Sequence, residues 1–276
     1  MALVFSDMDG TFLADDKSIP ERNLEALDYL RSVGCRFVPC TGRVIKGIDP
    51  VVLAHPATTH AVCCNGAVVM ARREDGWERI LERPMEFEVV SRLYGDLSQF
   101  DLMFELFVND TVYVSRAALR LLDELCPNVG MRRYIHASRT PVDGKILTCV
   151  QGKGAVDRVN IRVHERDRSN VEVILQGYPS IAVAVSDVNG FDITMAGINK
   201  GGAMKWLSSN LGEPLEGCMA FGDAGNDIEM LKEAGVGIAL SNANITALDI
   251  ADETTVSNTE GGVGEYILSH GFFFER

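Results

Sequence analysis

Basic residues are scarce in this chain. Its 276 residues include 26 lysines and arginines against 39 aspartates and glutamates, which gives a formal net charge of -13. The basic residues form no dense cluster, and nucleic acids and anionic membrane surfaces require a basic face that replaces their counterions. The composition therefore argues against both of these partners.

Long apolar runs are missing as well. None reaches the roughly 18 residues that a transmembrane helix needs. The first basic residue is Lys17, and it follows Asp7, so the basic-then-apolar layout of a secretory signal is not found. We therefore expect a soluble protein of the cytoplasm.

Paired cysteines and the common nucleotide and zinc motifs are lacking. The seven cysteines include no Cys-x-x-Cys pair, which predicts buried free thiols rather than disulfides or a zinc site. Gly152-Lys153-Gly154 lacks the third glycine of a dinucleotide loop, and no Gly-x-x-x-x-Gly-Lys-Ser/Thr loop occurs. Arg168 breaks the His-Glu-x-x-His pattern that starts at His164. These features argue against a nucleotide-loop enzyme and a zinc hydrolase.

The composition that remains is that of a folded protein, and the first apolar run ends in two carboxylates. The chain is 46% hydrophobic and 24% charged, and its length suits two domains. Residues 3–6 predict a buried parallel strand, followed by Asp7 and Asp9. Ligands of open α/β sheets bind beyond the carboxyl ends of such strands, and Gly10 allows a sharp bend there. Because Asp-x-Asp-Gly is also ordinary turn chemistry, this stretch indicates a site only together with others.

A helix and two more strands follow within the first 66 residues. Ser18 and Glu21 have the spacing of a capping box for the helix, which Gly34 ends. The predicted strands cover residues 36–40 and 61–64. Their polar ends are Thr41-Gly42-Arg43 and Asn65-Gly66. This rhythm predicts a parallel, doubly wound α/β sheet.

The pattern changes between about residues 80 and 190. Charged residues multiply and the strand-like pieces have no polar residues at their ends, which predicts an α+β insert. The predicted helices cover 86–97 and 117–125, and the predicted strands 108–114 and 145–150. Residues 159–163 alternate as in a strand, whereas 171–175 fit a strand or a helix equally well.

The α/β rhythm returns after about residue 190. Asn199-Lys200-Gly201 opens an amphipathic helix, and a strand over 218–221 runs into a polar loop from Gly222 to Asp227. The remaining predicted elements are a helix over 228–234, strands over 236–240 and 253–256, and a helix over 264–270.

The polar residues at these strand ends and helix starts form one candidate site. They are Asp7, Asp9, Thr41, Asn65, Lys200, Asp223, Asn226 and Asp227. Carboxylates that converge from separate strands repel one another unless a cation lies among them. Their hard oxygen atoms suit Mg²⁺, which binds one or two carboxylates together with a substrate phosphate. Each residue alone also has an ordinary role, such as a solvated lysine or an acid at a helix N-terminus.

Taken together, these stretches resemble the haloacid dehalogenase-like superfamily, specifically its Cof-type sugar-phosphatase branch. Asp7-Met8-Asp9-Gly10-Thr11 matches the first motif, and Thr41 matches the Thr or Ser of the second. Lys200 matches the third motif, and Gly222 to Asp227 matches the fourth, Gly-Asp-x-x-Asn-Asp. Asn199 and Ala224-Gly225 depart from the commoner residues of the family, so a close relative's substrate does not follow.

The resemblance implies a fold and a division of the chain. Residues 1–81 and 191–276 would form a Rossmann-like core with a doubly wound parallel sheet. Residues 82–190 would form an inserted α+β cap domain that determines substrate specificity. The expected fold class is therefore α/β with an inserted cap, and the oligomeric state stays open.

The resemblance also implies roles for the site residues. Asp7 would be the nucleophile that forms an aspartyl phosphate, and Asp9 the general acid and base. Mg²⁺ would be bound by the side chains of Asp7 and Asp223 and by the backbone carbonyl of Asp9. The phosphate-binding residues would be Thr41, Gly42, Lys200 and Asn226, and the supporting residues Asp227, Arg43 and Asn65.

The implied activity is the Mg²⁺-dependent hydrolysis of small phosphorylated metabolites, sugar phosphates above all. A phosphosugar mutase is the enzymatic alternative, and a noncatalytic sensor of phosphorylated metabolites is the alternative from another class. The presence of both Asp7 and Asp9 argues against the sensor. The length of the insert argues against the mutase.

Overall fold

The computed structural model describes residues 3–187 and 189–271, and the chain divides into two compact units. The core unit comprises Met1–Leu81 and Asn199–Arg276, and the insert comprises Glu82–Ile198. Among the described residues, no helix has both the length and the apolar composition needed to cross a membrane. All seven cysteines are free thiols, as predicted, and all except Cys149 are buried.

The helices and strands are as follows, in chain order. The first segment contains β1 (Leu3–Ser6), α1 (Glu21–Ser32), β2 (Arg36–Pro39), α2 (Pro50–Ala54), β3 (His60–Cys63), β4 (Val68–Arg73) and β5 (Gly76–Glu82). The insert contains α3 (Phe87–Leu97), β6 (Leu102–Val108), β7 (Thr111–Ser115), α4 (Arg116–Leu119), α5 (Leu122–Leu125), α6 (Val129–Ser138), β8 (Arg139–Val142), α7 (Ile146–Val150), β9 (Val156–Val163), α8 (Arg168–Gln176), β10 (Ile181–Asp187) and β11 (Gly190–Met195). The last segment contains α9 (Lys200–Leu211), β12 (Met219–Gly222), α10 (Ile228–Glu233), β13 (Val236–Leu240), α11 (Ile245–Ile250), β14 (Glu253–Thr255) and α12 (Gly262–Ser269).

A five-stranded parallel sheet forms the centre of the core unit, with the strand order β14-β13-β12-β1-β2. β1 is an inner strand, since Val4 pairs with Phe37 of β2 and with Met219 of β12. β3 lies beside β2 through isolated parallel bridges and also begins a second sheet, β3-β4-β5. The predicted parallel sheet is confirmed, and its strands bring the residues that follow β1, β2 and β12 to one edge.

Helices pack on both faces of the parallel sheet. Leu3 and Phe5 of β1 join Ala203 and Leu207 of α9 in one apolar cluster. Phe221 of β12 points to the opposite face, because its neighbour Ala220 belongs to that cluster and successive strand residues alternate. The Phe221 ring lies 5.5 Å from the Tyr266 ring of α12, and α12 packs against α1. The sheet is therefore doubly wound, as predicted.

The insert is built on one six-stranded sheet with the order β10-β11-β9-β6-β7-β8. Its recorded pairings are antiparallel except that of β7 with β8. Helices α3 and α8 pack on this sheet through an apolar core that includes Val90, Leu93, Val171 and Leu175. The predicted α+β character of the insert is observed. The predicted insert ends at residue 190, whereas the observed unit continues to Ile198, because β11 pairs with β9 and β10.

Several local predictions in the insert are wrong. Residues 108–114 form two strands, because Asn109 and Asp110 take φ values of 47° and 60° and close a two-residue hairpin. Residues 145–150 contain helix α7 rather than a strand. Ile146 and Val150, four residues apart, are both buried and lie on one face of this helix. The predicted helix over 117–125 is split into α4 and α5.

The segment 171–175, left open between strand and helix, lies in helix α8. The predicted capping box of α1 does not form. The helix begins at Glu21 after Pro20, and Ser18 donates its hydroxyl to Oδ1 of Asp16 at 2.6 Å. The loop before α1 thus has its own internal hydrogen bonding.

Candidate active site

Asp7 lies where β1 ends at the edge of the parallel sheet. Its backbone N–H donates to the carbonyl of Phe221 at 2.9 Å, which fixes the residue against β12. Its side chain is buried, with Oδ1 2.5 Å from Nζ of Lys200. The carboxylate of the first motif therefore faces the lysine of the third motif, which lies 193 positions away in the chain.

Lys200 is the first residue of α9 and has no exposed surface. Its ammonium donates to Oδ1 of Asp227 at 2.6 Å as well as to Asp7. The other oxygen of Asp227 accepts the backbone N–H groups of Asp223 and Ala224 at 3.1 and 3.0 Å. Asp227 therefore ties the loop after β12 to the buried lysine.

Asp223 lies close to the turn that follows Asp9. Its Oδ1 accepts the hydroxyl hydrogen of Thr11 at 2.7 Å. Gly10 has a φ of +93°, and a Cβ atom built there would lie 2.5 Å from Oδ2 of Asp223. Only glycine therefore suits this position, for its left-handed backbone and for the close approach of the carboxylate.

Asp9 has a different environment from the other carboxylates. Arg43 donates to both of its oxygens, from Nε at 2.8 Å and from Nη2 at 2.6 Å. The Nη1 atom of Arg43 donates to the carbonyl of Gly47, and Nζ of Lys17 lies 2.8 Å from Oδ1 of Asp9. Two cations thus hold the Asp9 carboxylate.

The ends of β2 and β3 meet through hydrogen bonds. Thr41 is buried, its Oγ1 accepts the N–H of Arg43 at 3.1 Å, and its carbonyl accepts the N–H of Asn65 at 3.0 Å. Nδ2 of Asn226 donates to Oδ1 of Asn65 at 3.2 Å. Gly42 lies in the bend between Thr41 and Arg43. The structure therefore brings together all of the predicted site residues within the core unit.

Burial and neighbouring negative charges raise the pKa values of both Asp7 and Asp223. Burial raises the pKa of Asp7 well above its usual range, and the negative charges of Asp227 and Asp223 add to this effect while Lys200 opposes it. Burial and the neighbouring Asp227 raise the pKa of Asp223 to about 7. Such crowding of carboxylates is relieved when a cation binds among them.

Asp9 and Lys200 show the opposite behaviour, since each favours its charged form. Burial alone would raise the pKa of Asp9, but the positive charges of Arg43 and Lys17 outweigh it and hold this pKa well below the usual range. Burial alone would lower the pKa of Lys200, but Asp227 and Asp7 outweigh it and raise this pKa. Asp9 is therefore a carboxylate and Lys200 an ammonium in this arrangement.

The donor set fits a hard divalent cation. Asp7, Asp223 and Asp227 each offer a carboxylate oxygen, and these atoms lie within 4.8 Å of one another. Both oxygens of Asp227 already accept hydrogen bonds from Lys200 or from backbone N–H groups. Asp7 and Asp223, which belong to the predicted ligand set, are therefore better suited to coordinate Mg²⁺.

Two residues beside the site were not singled out in the sequence. Thr11 lies inside the first motif, and its contact with Asp223 follows once the two loops meet. Lys17 lies in the acidic stretch Asp15-Asp16-Lys17 and in no motif. Neither periodicity nor spacing indicates its contact with Asp9, because this contact depends on the path of the loop before α1.

Comparisons with known proteins agree with this geometry. The family model of the haloacid dehalogenase-like hydrolases matches residues 4–267 of the chain. The 5-amino-6-(5-phospho-D-ribitylamino)uracil phosphatase YitU of Bacillus subtilis is 25% identical over 97% of this chain and 97% of its own length. The pyridoxal phosphate phosphatase YbhA of Escherichia coli is 25% identical over 96% of both chains.

Solved structures show the same fold. A haloacid dehalogenase-like hydrolase from B. subtilis superposes with a TM-score of 0.84, with 22% identity over 98% of this chain and 99% of that chain. The subclass IIB sugar phosphatase BT4131 gives a TM-score of 0.82, with 21% identity over 98% of this chain and 99% of that chain.

Proposed function

Since the chain belongs to the haloacid dehalogenase-like hydrolase family and is a phosphoric monoester hydrolase, we propose that it acts on small phosphorylated metabolites, sugar phosphates first among them, with Mg²⁺ as its cofactor. The relatives named above are phosphatases of a phosphorylated ribitylaminouracil and of pyridoxal phosphate, and a structural neighbour is named a sugar phosphatase. All of these names describe small molecules that carry a phosphate group.

The observation that carries this proposal is the position of the Asp7 carboxylate between a buried lysine and a second acidic loop. Lys200 donates to Oδ1 of Asp7, and Asp223 brings another carboxylate to the same place. A nucleophile must be held at one position and supplied with positive charge as the phosphoryl group approaches. Asp7 is the nucleophile of the proposed reaction, in which it forms an aspartyl phosphate that water then hydrolyses.

Mg²⁺ would be held by the side chains of Asp7 and Asp223, with the backbone carbonyl of Asp9 as the third protein ligand. When bound, it supplies positive charge that neutralises the phosphoryl oxygens during transfer. The carboxylate of Asp9 stays away from this group, because Arg43 and Lys17 bind it. Asp227 orients Lys200 and the loop that carries Asp223.

The remaining polar side chains have roles that suit their positions. Lys200 offers positive charge to the phosphoryl group, and Thr41, Gly42 and Asn226 offer hydrogen-bond donors from neighbouring loops. Arg43 and Asn65 hold these loops in place. Asp9, in its protonated form, protonates the leaving oxygen. The carboxylate that remains, which is the state favoured in this structure, then accepts a proton from the attacking water.

The test is phosphate release from a panel of phosphorylated metabolites, with sugar phosphates and pyridoxal phosphate included. We expect release that requires Mg²⁺ and is lost in the Asp7→Asn variant, although circular dichroism shows this variant to be folded. Equal release in the presence of a chelator would contradict the metal assignment. Normal release by Asp7→Asn would contradict the nucleophile.

Two other results would point to the alternative functions. Transfer of phosphate between positions of one sugar, without free phosphate, would indicate a mutase. Binding of a metabolite without any turnover by the unaltered protein would indicate a sensor.

A further inference from the structure

Lys17 has a backbone conformation that a lysine rarely adopts. Its φ is 73°, in the left-handed region, where the Cβ atom crowds the following carbonyl at a cost of roughly 1 to 2 kcal/mol. Asn and Asp tolerate this region because their short side chains bond locally, whereas lysine has no such compensation. Strain of this kind persists only where the surroundings impose it, and it is common at functional sites.

The loop before α1 imposes this conformation through hydrogen bonds on both sides of Lys17. The N–H of Lys17 donates to the carbonyl of Ala14, and the N–H of Ala14 donates to the carbonyl of Ser18, both at 2.9 Å. Oδ1 of Asp16 accepts both the N–H and the hydroxyl hydrogen of Ser18. Oδ1 of Asp15 accepts a hydrogen bond from Nδ2 of Asn258 at 3.0 Å, which joins the loop to the last segment of the chain in the core unit.

This strained residue reaches the candidate active site. Its Nζ lies 2.8 Å from Oδ1 of Asp9, the same oxygen that Nη2 of Arg43 contacts at 2.6 Å. The Lys17 side chain is 19% exposed, compared with 57% for each partner of the surface pair Arg73–Glu78. The left-handed turn therefore delivers an ammonium to a carboxylate that the proposed reaction uses.

We propose that Lys17 is a positioning residue for Asp9, an inference that rests on the proposed phosphatase function. Arg43 and Lys17 together hold the Asp9 carboxylate in one place, apart from the cluster of Asp7, Asp223 and Asp227. In its protonated form, Asp9 gives its proton to the oxygen released when the ester bond to phosphorus breaks, which leaves the carboxylate described above. This carboxylate then takes a proton from the water that attacks the aspartyl phosphate. Lys17 acts through Asp9 and does not itself contact the reacting atoms.

The energetics favour this role over a purely structural one. A partly exposed ion pair contributes about 0 to 1 kcal/mol to folding, which does not exceed the cost of the left-handed backbone. Glycine at position 17 would avoid that cost and would fit the same turn. Folding stability alone therefore gives no reason for a lysine here, whereas the placement of the Asp9 carboxylate does.

The first experiment separates activity from stability by comparing Lys17→Gly, Lys17→Met and Lys17→Arg with the unaltered protein in Mg²⁺. Lys17→Gly relieves the strain and removes the ammonium, so we expect an unchanged or higher thermal midpoint together with a lower kcat. Lys17→Arg keeps a cation within reach of Asp9 and is expected to retain most of the activity. Lys46→Met, which removes an exposed lysine from another loop of the core unit, is the matched control and should change neither quantity.

The second experiment asks whether the effect passes through Asp9. Phenyl phosphate and 4-nitrophenyl phosphate have similar shapes, but only the poorer leaving group, phenolate, needs a proton as it departs. A general acid contributes on the order of 100-fold or more to the rate. We therefore expect Lys17→Met to lower kcat for phenyl phosphate by roughly tenfold or more. For 4-nitrophenyl phosphate, we expect kcat to fall by less than about threefold. In the Asp9→Asn background, the same substitution should change kcat for phenyl phosphate by less than about twofold, because its target is gone.

The outcomes distinguish this inference from the proposed function. If the unaltered protein releases no phosphate from either ester or from the metabolite panel, the proposed function fails and this inference fails with it. If the unaltered protein is active and Lys17→Met slows both esters equally or not at all, only the inference on Lys17 is overturned. An undiminished effect of Lys17→Met in the Asp9→Asn background would overturn it too, since Lys17 would then act by another route.

Discussion

A fully buried ammonium group needs compensating negative charge, and Lys200 has two carboxylates beside it. Its ammonium donates to Asp7 and to Asp227, and it has no exposed surface. Removing one member of such a group leaves buried charges without compensation, and this costs more than the group contributes as a whole. The site therefore depends on Lys200 for folding as well as for its proposed chemistry.

We expect Lys200→Met to lower the free energy of unfolding of the metal-free protein by about 3 to 5 kcal/mol, because Asp7 and Asp227 lose their counter-charge. The double variant Lys200→Met with Asp227→Asn should regain part of this loss, since one of the two stranded charges is removed. Urea unfolding followed by circular dichroism measures both. Lys205→Met on the same helix, whose ion pair with Glu233 is largely exposed, is the control and should stay within about 0.5 kcal/mol. A loss in the double variant that equals or exceeds that of Lys200→Met would contradict this account.

Tight turns at the ends of strands bring the loops of the site together, and the turn at Gly10 is one of these close approaches. Its φ of +93° and the 2.5 Å separation between a Cβ atom and Asp223 place two separate demands on the residue. Gly34, which follows α1, has a φ of +75° but meets no atom within 4 Å. The two glycines thus separate the cost of the backbone conformation from the cost of the contact.

Gly34→Ala should cost about 1 kcal/mol of unfolding free energy and leave phosphate release unchanged, because only the left-handed conformation is penalised. Gly10→Ala should cost about 2 kcal/mol or more and lower Mg²⁺-dependent phosphate release by roughly tenfold or more, because the Asp223 carboxylate must move. Urea unfolding and the phosphate-release assay measure the two effects. Equal losses in the two variants would show that the approach of Asp223 to Gly10 has no consequence.

The parts of the fold that follow local rules could be predicted from the sequence, and the others could not. Strands β1, β2 and β12 are apolar runs that end in motif residues, and helix α9 has a clear amphipathic pattern after Asn199. In the insert, the alternation over 159–163 correctly indicates strand β9, but this strand is buried along its whole length, so its polar residues Arg158 and Arg162 do not mark an exposed face. The hairpin at Asn109 lacks the glycine that marks most such turns. The contact of Lys17 with Asp9 could not be predicted, because it depends on tertiary structure.

The pH dependence of folding stability in the whole protein should contain a contribution from His60 at the start of β3. Burial, followed by the charges of Arg36 and Arg73, lowers the pKa of His60 to about 4, against an ordinary value near 6.5 in the unfolded chain. The folded protein therefore binds this proton less well than the unfolded chain does. The contribution of His60 to stability is complete above about pH 6.5 and is lost as the pH falls towards about 4.

Between pH 7 and pH 5, the unaltered protein should lose about 1 kcal/mol more unfolding free energy than His60→Gln, after allowance for the partial exposure of the ring. Urea titrations of both proteins at the two pH values, with a chelator present, provide the comparison. Because glutamine cannot gain a charge at position 60, the pH dependence of His60→Gln reports the contribution of all the other titrating groups. The difference between the two proteins is the contribution of His60. Identical pH dependence in the two proteins would show that His60 is readily protonated in the folded state.

The pairing of β1 with β12 also bears on how the protein is made. Val4 pairs with Met219, and Asp7 finds Lys200 193 positions further along, whereas all the strands of the insert pair within the insert. During synthesis at a ribosome, the insert is complete before β12 has emerged, and domains generally fold as units during synthesis. Strand β1 can therefore pair with β12 only late in synthesis, after the insert has been made. The four acidic side chains of the site, Asp7, Asp9, Asp223 and Asp227, therefore come together only after most of the polypeptide has been translated. Lys200 precedes Asp223 and Asp227 in the chain, so the positive charge that offsets their repulsion is already present when they meet.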